Sequence, residues 1–325
     1  MEVRRQKSEE RSIFAVMIGF NLNKAKRHFL EMLCGGFTQR EAEQLMRILL
    51  EDLFGIDQKR QLMEPELRID ELQYTRLANA VKRLLEGVPV QYVTGKDWFD
   101  GLLFEVNESV LIPRPETEEL VQWAAEALTW RTAELGSVTV DRPLRIWDVG
   151  TGSGCIAVAM AKRFPQAEVK AFDVSKEALE TARRNVIYNK VKVDFIYDDV
   201  LHPQSLVWHQ PVDLVISNPP YIRESERVTM ERNVLDYEPS QALFVPDDDP
   251  LLFYRQILTL AKHQLNPNGA IWFEINEALA QEMVLLAHSM GFEAKVFKDF
   301  AGKERFVQVI PKNQQIVDNS SVLIP

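Results

Sequence analysis

Hydrophobic positions change their spacing twice along this chain and divide it into three regions. Residues 24–87 have apolar positions at helical spacing, such as Leu45 and Leu49, and predict a small helical bundle. Residues 88–112 alternate apolar and polar positions around Asp100-Gly101, which predicts a β-hairpin linker between two domains. The alternating runs of this hairpin are Gln91–Thr94, Trp98–Phe99 and Leu102–Val106.

The third region, residues 113–311, has short β-type runs that alternate with helical patterns, as expected for a doubly wound α/β domain. Its first helix is predicted to start near Pro115, because a proline followed by acidic residues is typical of a helix start. Residues 1–23 and 312–325 show little pattern, and we expect both ends of the chain to be frayed.

A glycine-rich turn ends the first β-type run of this region, Leu144–Val149. Gly150-Thr151-Gly152-Ser153-Gly154 follows the run at once, and a helical pattern begins at Cys155. A strand, a glycine turn and a helix N-terminus form the entry to a nucleotide-type site, because bare backbone lets a ligand approach closely. The dinucleotide fingerprint has its third glycine one place later, where Cys155 stands, so the spacing departs from that pattern.

Acidic residues follow the next two β-type runs. Asp173 comes after the run 168–172, where an acidic residue accepts hydrogen bonds from ribose hydroxyls. Asp199 comes after the run 192–197 and is placed to contact an adenine amino group. The plainer alternatives are a loop carboxylate near a helix start for Asp173 and a solvated acidic pair for Asp199.

The fourth β-type run, Asp213–Ser217, ends in Asn218-Pro219-Pro220-Tyr221. Pro219 keeps Asn218 out of the α region and gives its side chain a fixed direction at the strand end. An amide oxygen beside a backbone carbonyl can accept both hydrogens of a substrate –NH2 group, and Tyr221 can cover a planar group. This combination is typical of an enzyme that modifies the nitrogen of an amide or a conjugated amine. A strand-ending turn without chemistry is the alternative.

The glycine loop and this tetrapeptide are expected to face each other. In a doubly wound sheet, ligands bind at the carboxyl ends of the strands near the topological switch point. Because the glycine loop follows the first strand and Asn218 follows the fourth, both belong to one predicted cleft.

Composition narrows the possible classes. The chain of 325 residues is 46% hydrophobic and 26% charged, enough for two domains with sizeable cores. No apolar stretch reaches the roughly 20 residues of a membrane span, and no signal-peptide pattern follows the charged start. Cys34 and Cys155 lie in different predicted domains, so we expect free thiols in a reducing cytoplasm. The five histidines show no metal-ligand spacing, and neither a P-loop nor a Ser/His/Asp arrangement is visible.

The net charge of −10 is unevenly distributed. Residues 1–90 contain 15 basic and 14 acidic residues, so the negative charge belongs to the rest of the chain. An acidic catalytic region without a basic run argues against extensive contacts with nucleic-acid phosphates. The charge suits a basic protein partner, and solubility alone is an equally good explanation.

Six motifs together resemble the PrmC/HemK family of protein-(glutamine-N5) methyltransferases, which act on bacterial peptide chain release factors. The motifs are Pro89–Gly95, Ile112–Glu118, Asp148–Gly154, Ser217–Ile222, Tyr237–Leu243 and Asp299–Arg305. They occur in the family's order over about residues 25–310, and the first 23 residues extend beyond the usual family start. The tetrapeptide alone is shared with adenine-N6 and other amino methyltransferases, whereas its combination with the other motifs is specific.

The resemblance implies a Rossmann-like class I methyltransferase domain that depends on S-adenosylmethionine (SAM). Such a domain has a doubly wound sheet of seven strands, of which the last is antiparallel. The implied substrate is the glutamine of a Gly-Gly-Gln loop in a release factor, and residues 24–87 are expected to dock that protein. We expect a cytoplasmic monomer without a metal, without a membrane and without direct contact to nucleic acid.

The resemblance also implies a role for each site residue. The residues expected to bind the cofactor are Gly150, Thr151, Gly152, Ser153, Gly154, Asp173, Asp199 and Asn218. The residues expected to hold the substrate are Asn218, Pro219, Pro220 and Tyr221. Among them, Asn218, Pro219 and Tyr221 are expected to be catalytic, with Tyr221 packed on the plane of the substrate amide.

Two residues depart from the family pattern: Asn276 stands where glycine is usual, and Pro250 where an Asp-Gly pair is usual. Both are expected in loops away from the tetrapeptide, where they would change loop shape but not the reaction. Two other functions stay open. An adenine-N6 methyltransferase on DNA or RNA would need a recognition element rich in Lys, Arg and aromatic residues. A SAM-binding assembly factor without activity would not need an intact Asn218.

Overall fold

The computed structural model of the chain describes residues 19–134 and 142–312. The outermost parts of both ends, predicted to be frayed, lie outside these ranges. The described residues form two compact units. The helical unit contains the described residues up to Lys96 together with Arg232–Tyr237, and the sheet unit contains the remaining described residues.

Helices build the helical unit around a core of its own, so the predicted helical bundle is confirmed. Its helices are Leu22–Leu33, Gln39–Phe54, Gln58–Met63, Glu71–Leu85, Val90–Thr94 and Arg232–Tyr237, and its short strands are Phe20–Asn21 and Arg68–Ile69. Thr38 and Glu41 form a capping box at the start of the second helix. Amphipathic faces bury Phe29 and Met46 among other apolar side chains. The Tyr237 hydroxyl donates to the Glu86 carbonyl at 2.9 Å, which attaches the last helix to this unit.

Residues 19–23 correct the prediction of a frayed start. Asn21 caps the first helix, because its side-chain oxygen accepts a hydrogen bond from Lys24 N at 3.1 Å. The ring of Phe20 stacks on Tyr74 with a centroid distance of 4.3 Å. A single cap and a two-residue strand leave too little periodicity for a prediction from sequence.

The β-hairpin predicted over residues 88–112 is shorter than expected. Its strands are Lys96–Phe99 and Leu102–Glu105. The alternating run Gln91–Thr94 lies in the helix Val90–Thr94, so its assignment to a strand was wrong. Four residues fit either spacing, and the left-handed Gly95 decides for the helix, since its N–H donates to the carbonyl four residues earlier at 2.7 Å.

Seven strands form the main sheet of the sheet unit. They are β1 (Arg145–Val149), β2 (Glu168–Asp173), β3 (Asp194–Tyr197), β4 (Val212–Ser217), β5 (Leu265–Glu274), β6 (Phe292–Lys298) and β7 (Glu304–Pro311). Their order across the sheet is β6-β7-β5-β4-β1-β2-β3. The last strand, β7, pairs antiparallel with both β5 and β6, and the other pairs are parallel. The doubly wound sheet with an antiparallel last strand is therefore confirmed.

Helices and short segments complete the sheet unit. The helices are Pro115–Glu134, Cys155–Arg163, Lys176–Asn189, Leu252–Ala261 and Ala280–Ser289, and the short strands Ile222–Arg223 and Phe244–Val245 pair in parallel. The central strands β1 and β4 are almost entirely buried, which explains why they appear in the sequence as continuous apolar runs. Trp147, Phe172 and Trp208 pack together in this core.

Two asparagines hold the strand Leu102–Glu105 on the helix Lys176–Asn189. The Asn185 side chain donates to the Glu105 carbonyl at 2.9 Å and accepts from the Glu105 N–H at 2.6 Å. Asn189 donates to the Leu103 carbonyl at 3.0 Å. This strand therefore packs on the sheet unit.

Among the described residues, no helix has the length and the apolar composition that a membrane crossing requires. Cys34 is exposed and Cys155 is buried, and both are free thiols. Burial raises the pKa of the Cys155 thiol to about 12, so this thiol stays protonated and unreactive.

Candidate active site

A cleft opens at the carboxyl ends of β1, β2 and β4. The cleft is lined by the glycine loop, by acidic residues that end β2 or follow β3, and by the tetrapeptide after β4. The lining residues that matter most are Gly150, Gly152, Asp173, Asp199, Asn218 and Pro219. The structure thus places the glycine loop and the tetrapeptide in one cleft, as the topology predicts.

The three glycines of the loop have two different roles. Gly150 and Gly152 have φ values of 75° and 54°, and a Cβ at either position would meet nothing within 4 Å. Both therefore present bare backbone at the cleft in the left-handed conformation that favours glycine. A Cβ at Gly154 would lie 3.0 Å from the Cβ of Ala182. Gly154 accordingly allows two helices to pack closely and does not line the cleft.

Asp148, at the end of β1, lies fully buried beneath the glycine loop. Its Oδ2 accepts hydrogen bonds from the Thr151 hydroxyl at 2.5 Å and from Ala157 N at 3.1 Å. Burial raises the pKa of Asp148 to about 7. Because Thr151 is turned toward this carboxyl group, its side chain stabilises the loop from below.

Asp173 connects the glycine loop to the next helix. Its Oδ2 accepts from Gly152 N and its Oδ1 accepts from Ser175 N, each at 2.8 Å. Burial raises the pKa of Asp173, and these backbone hydrogen bonds oppose the rise. Each carboxylate oxygen can accept further hydrogen bonds, so Asp173 can hold a ligand diol at the cleft wall.

Two neighbouring acids after β3 lie in different environments. Asp198 is buried, and its Oδ2 accepts from the Trp208 indole at 2.6 Å and from Ser205 N at 2.9 Å. Asp198 and Asp199 both line the cleft, and Asp199 Oδ2 lies 2.9 Å from His202 Nδ1. Asp198 is held by its hydrogen bonds within the protein, whereas the more exposed Asp199 can offer its carboxylate to a ligand.

A buried chain of hydrogen bonds supports the tetrapeptide from behind. Asn218 Nδ2 donates to Thr117 Oγ1 at 3.0 Å, and the Thr117 hydroxyl donates to Glu274 Oε2 at 2.7 Å. The Tyr221 hydroxyl donates to the other oxygen, Glu274 Oε1, at 2.9 Å. Thr117 and Glu274 are 3% and 1% exposed. One buried carboxyl group thus holds both polar side chains of the tetrapeptide.

A second buried acid, Glu238, binds the segment that lies before the helix Pro115–Glu134 and lines one side of the cleft. Glu238 is 5% exposed, and one of its oxygens forms a salt bridge with Arg114. Its other oxygen accepts from Ile112 N at 3.3 Å. These contacts join the segment before Pro115 to the segment 238–242, and Leu111 and Gln241 of the two segments both line the cleft.

Comparison with known protein families supports this architecture. The Methyltransferase small domain matches residues 135–236, and the PrmC N-terminal domain matches residues 36–95. The release factor glutamine methyltransferase of Flavobacterium psychrophilum is 40% identical over 285 residues, which cover 87% of this chain and 97% of that protein. The chain belongs to the family of release factor glutamine methyltransferases.

Other members of the family match over similar lengths. The release factor glutamine methyltransferase of Bacteroides thetaiotaomicron is 36% identical over 88% of this chain and 99% of its own length. The protein of that name from Bacillus subtilis is 36% identical over 85% of this chain and 93% of its own length. As a member of this family, the chain is a SAM-dependent methyltransferase.

The cleft fits SAM. Bare backbone at Gly150 and Gly152 allows the close approach that the cofactor requires, and a Cβ at either glycine would extend into open space. Asp173 places a carboxylate beside this backbone, within the same cleft as Asp199.

The structure brings most, but not all, of the predicted site residues together. Those that line the cleft are Gly150, Gly152, Asp173, Asp199, Asn218, Pro219 and Pro220. Those that do not line it are Thr151, Ser153, Gly154 and Tyr221. Tyr221 is half-buried and points its hydroxyl at Glu274, so its predicted packing on a substrate amide stays a prediction.

Sequence reasoning missed Thr117 and Glu274. Thr117 lies in a stretch whose pattern predicts a helix start, and no local pattern indicates that its side chain points inward. Glu274 does leave a signal, because it is an acidic residue at the end of the apolar run of β5. A carboxyl group at a buried strand end requires partners, and here the partners come from the tetrapeptide and the helix that starts at Pro115.

Asn276 corrects the expectation that the departures from the family pattern lie away from the tetrapeptide. Its Nδ2 donates to the Tyr221 carbonyl at 3.4 Å and to both carboxylate oxygens of Glu226 at 3.2 Å. Its Oδ1 accepts from Ala278 N at 3.0 Å and caps a short 3₁₀ helix. The side chain therefore connects β5 to the segment directly after the tetrapeptide. Pro250 lies two residues before the Leu252–Ala261 helix.

In residues 19–130 and 142–312, whose side chains are described, no three His, Cys, Asp or Glu side chains form a group that could hold a metal ion.

Proposed function

We propose that this protein transfers a methyl group from SAM to the side-chain amide nitrogen, N5, of the glutamine in a Gly-Gly-Gln loop of a peptide chain release factor. The observation that supports this most is the Asn218 amide, which lies in the cleft with its nitrogen already engaged by Thr117. The substrate class comes from the relatives, which are named release factor glutamine methyltransferases. The proposed consequence is a change in translation termination.

The proposed cofactor site uses the groups that line the cleft. SAM supplies a methyl group bonded to a positively charged sulfur. Gly150 and Gly152 present backbone to the cofactor, Asp173 accepts hydrogen bonds from the ribose hydroxyls, and Asp199 accepts one from the adenine amino group. Thr151, Ser153 and Gly154 give the loop its shape, since they do not line the cleft.

The proposed substrate site uses acceptors. The Asn218 Oδ1 atom and the Pro219 backbone carbonyl accept the two hydrogens of the glutamine –NH2 group, which fixes the amide plane and directs its nitrogen at the methyl group. Holding two reactants in line lowers a barrier by roughly 7–11 kcal/mol in favourable cases. The same acceptors stabilise the positive charge that develops on nitrogen, as donors stabilise an oxyanion.

No strong base is required in this mechanism, because a methylated amide nitrogen is far more acidic than the amide and loses its proton readily. Tyr221 is the titratable side chain of the tetrapeptide. Burial, together with the adjacent Glu274, raises the pKa of Tyr221 well above its usual value, so the phenol stays protonated. Tyr221 is therefore proposed to pack beside the substrate amide.

The helical unit is proposed to dock the release factor. It has amphipathic helices and a separate core, and none of its described residues lines the cleft. The match of residues 36–95 to the PrmC N-terminal domain assigns this part of the chain to the same family as the catalytic part.

One experiment separates the proposed substrate from an adenine amino group, which the same two acceptors could hold. The purified protein and methyl-labelled SAM are incubated in parallel reactions with one of three substrates. These are a release factor, the same release factor with the glutamine of its Gly-Gly-Gln loop changed to alanine, and DNA or RNA. The proposal expects label only in the unaltered release factor. Label in nucleic acid, or in the Gln→Ala variant, would overturn it.

A further inference from the structure

The hydrogen bonds behind Asn218 have a direction that follows from the number of hydrogens available. The Thr117 hydroxyl has one hydrogen, and it is donated to Glu274 Oε2 at 2.7 Å. Thr117 Oγ1 can then only accept in its contact with Asn218, which requires the amide to present Nδ2. The orientation of the Asn218 amide is therefore set by Glu274, which lies two steps along the chain of hydrogen bonds.

Glu274 acts as an acceptor on both sides. The Tyr221 hydroxyl donates to Oε1 at 2.9 Å while Thr117 donates to Oε2. Burial raises the pKa of Glu274, whereas these two hydrogen bonds and the positive charge of Arg305 favour the ionised form. Tyr254 fixes the strand at the same point, since its hydroxyl donates to the Glu274 carbonyl at 2.9 Å.

We propose that Thr117 and Glu274 are positioning residues that fix the direction of the Asn218 amide, so that its oxygen and not its nitrogen receives the substrate –NH2 group. This inference rests on the proposed function, because it concerns how Asn218 accepts a hydrogen from the substrate amide. An amide turned the other way would present two N–H hydrogens to a group that itself has only hydrogens to offer. The contact between Asn218 and the substrate would then be repulsive.

The first test removes the hydroxyl of Thr117 and keeps its shape. Thr117→Val should lower kcat at least about tenfold, as expected for a buried polar group that loses its partner, with SAM affinity unchanged by calorimetry. Thr117→Ser should restore most of kcat, because serine keeps the hydroxyl. The matched control is Thr129→Val on the same helix, whose hydroxyl donates to the Ala125 carbonyl at 2.8 Å and takes no part in this network.

The second test separates positioning from a general structural role. If Thr117 acts only through Asn218, Thr117→Val should cause no further loss of kcat in an Asn218→Ala background. If the loss of kcat in the double variant equals the product of the two single losses, Thr117 acts independently of Asn218, and the inference is overturned. Thermal unfolding of each variant verifies that the protein is folded.

The third test reverses the direction of the network. In Asn218→Asp, the carboxylates at positions 218 and 274 compete for the single hydrogen of the Thr117 hydroxyl. In Glu274→Gln, the new –NH2 group is a donor that faces one of two hydroxyl groups, Thr117 and Tyr221, which also donate. In the double variant, the Gln side-chain –NH2 group can donate to Thr117, which can then donate to the new carboxylate, so every group is paired again. The double variant should therefore methylate the release factor faster than either single variant.

Two results would overturn the assigned direction. The first is a double variant that is no faster than the faster of the two single variants. The second is a Thr117→Val protein with wild-type kcat. Either result leaves the proposed function standing if the wild-type protein methylates the release factor glutamine. Failure of the wild-type protein to methylate that glutamine overturns the proposed function instead, so the two failures are distinguishable.

Discussion

Asn218 and Thr117 are 101 residues apart in the sequence, and their side chains meet at 3.0 Å between Nδ2 and Oγ1. This single contact joins the helix that starts at Pro115 to the strand end after β4. It uses the amide nitrogen of Asn218 and leaves the oxygen to accept a hydrogen. The contact therefore relates the buried interior of the sheet unit to the chemistry proposed for the cleft.

Asn218→Ala should reduce turnover at matched SAM occupancy while the protein remains folded. Removal of one preorganised group from an oxyanion hole costs about 2.7–4 kcal/mol, or roughly 10²–10³ in rate, and a comparable loss is expected here. Single-turnover kinetics with a release factor measures the loss, and circular dichroism verifies the fold. A variant within about threefold of wild type would contradict a mechanism that depends on the Asn218 acceptor.

Asp173→Ala should weaken SAM binding. The proposed ribose contact loses a charged acceptor worth about 1.5–3 kcal/mol, which corresponds to roughly 10- to 150-fold in Kd. The variant also removes the acceptor of the Gly152 N–H, so the glycine loop loses a support at 2.8 Å. Asp173→Asn is the control of similar shape, and it should bind SAM better than the alanine variant. Wild-type affinity in both variants by calorimetry would remove Asp173 from the site.

Asn276→Ala should loosen the segment after the tetrapeptide. The variant loses the hydrogen bonds to Glu226 and to the Tyr221 carbonyl, and it removes a cap that typically contributes ~0.5–2 kcal/mol to stability. We expect a higher KM for the release factor and an unchanged Kd for SAM.

Asn276→Gly separates side-chain contacts from backbone freedom at this position. Asn276 has a φ of −66°, so glycine is not needed for the backbone conformation and can only add flexibility. The glycine variant should be less stable than the alanine variant. An unchanged KM in both variants would show that this side chain is irrelevant to the substrate site.

The stability of the protein should decrease as the pH rises through 7. Burial raises the pKa of Glu119 to about 7 from an ordinary value of 4.5, and its Oε2 accepts from Phe300 N at 3.0 Å. Because the folded state holds the proton more tightly than the unfolded state, the stabilisation is fully present below pH 4.5 and is lost as the pH rises through 7.

Glu119→Gln tests this pH dependence, because glutamine cannot titrate. The midpoint of urea unfolding should decrease less between about pH 5 and pH 8 in the variant than in wild type. Asp148, whose pKa is also about 7, retains its own contribution in both proteins. Identical pH profiles for the two proteins would show that Glu119 does not titrate in this range.

The sequence alone predicts the cleft because its parts obey local rules. A strand that runs into Gly150–Gly154 and a strand that ends at Asn218 must meet at the carboxyl edge of a doubly wound sheet. Asp173 and Asp199 follow from the same rule, since Asp173 ends β2 and Asp199 lies shortly after β3. All of these residues line the cleft, apart from three members of the glycine loop.

Other features depend on contacts between distant segments and leave little local signal. Thr117 and Glu274 are 157 residues apart in the sequence, and the spacing of hydrophobic residues does not indicate a contact between two polar side chains. The six-residue helix Arg232–Tyr237 belongs to the helical unit although it lies inside the sequence of the sheet unit. The assignment of Gln91–Thr94 to a strand failed because four residues fit two periods equally well.

The most direct test of the proposed function is to locate the methyl group on the product by tandem mass spectrometry. A purified release factor is treated with SAM and either the wild-type protein or Asn218→Ala, and the peptide that contains Gly-Gly-Gln is sequenced. We expect one added methyl group on the glutamine side-chain nitrogen with the wild-type protein, and almost no methylated peptide with the Asn218→Ala variant. A methyl group on another residue, or an unmodified peptide from a wild-type protein that binds SAM, would contradict it.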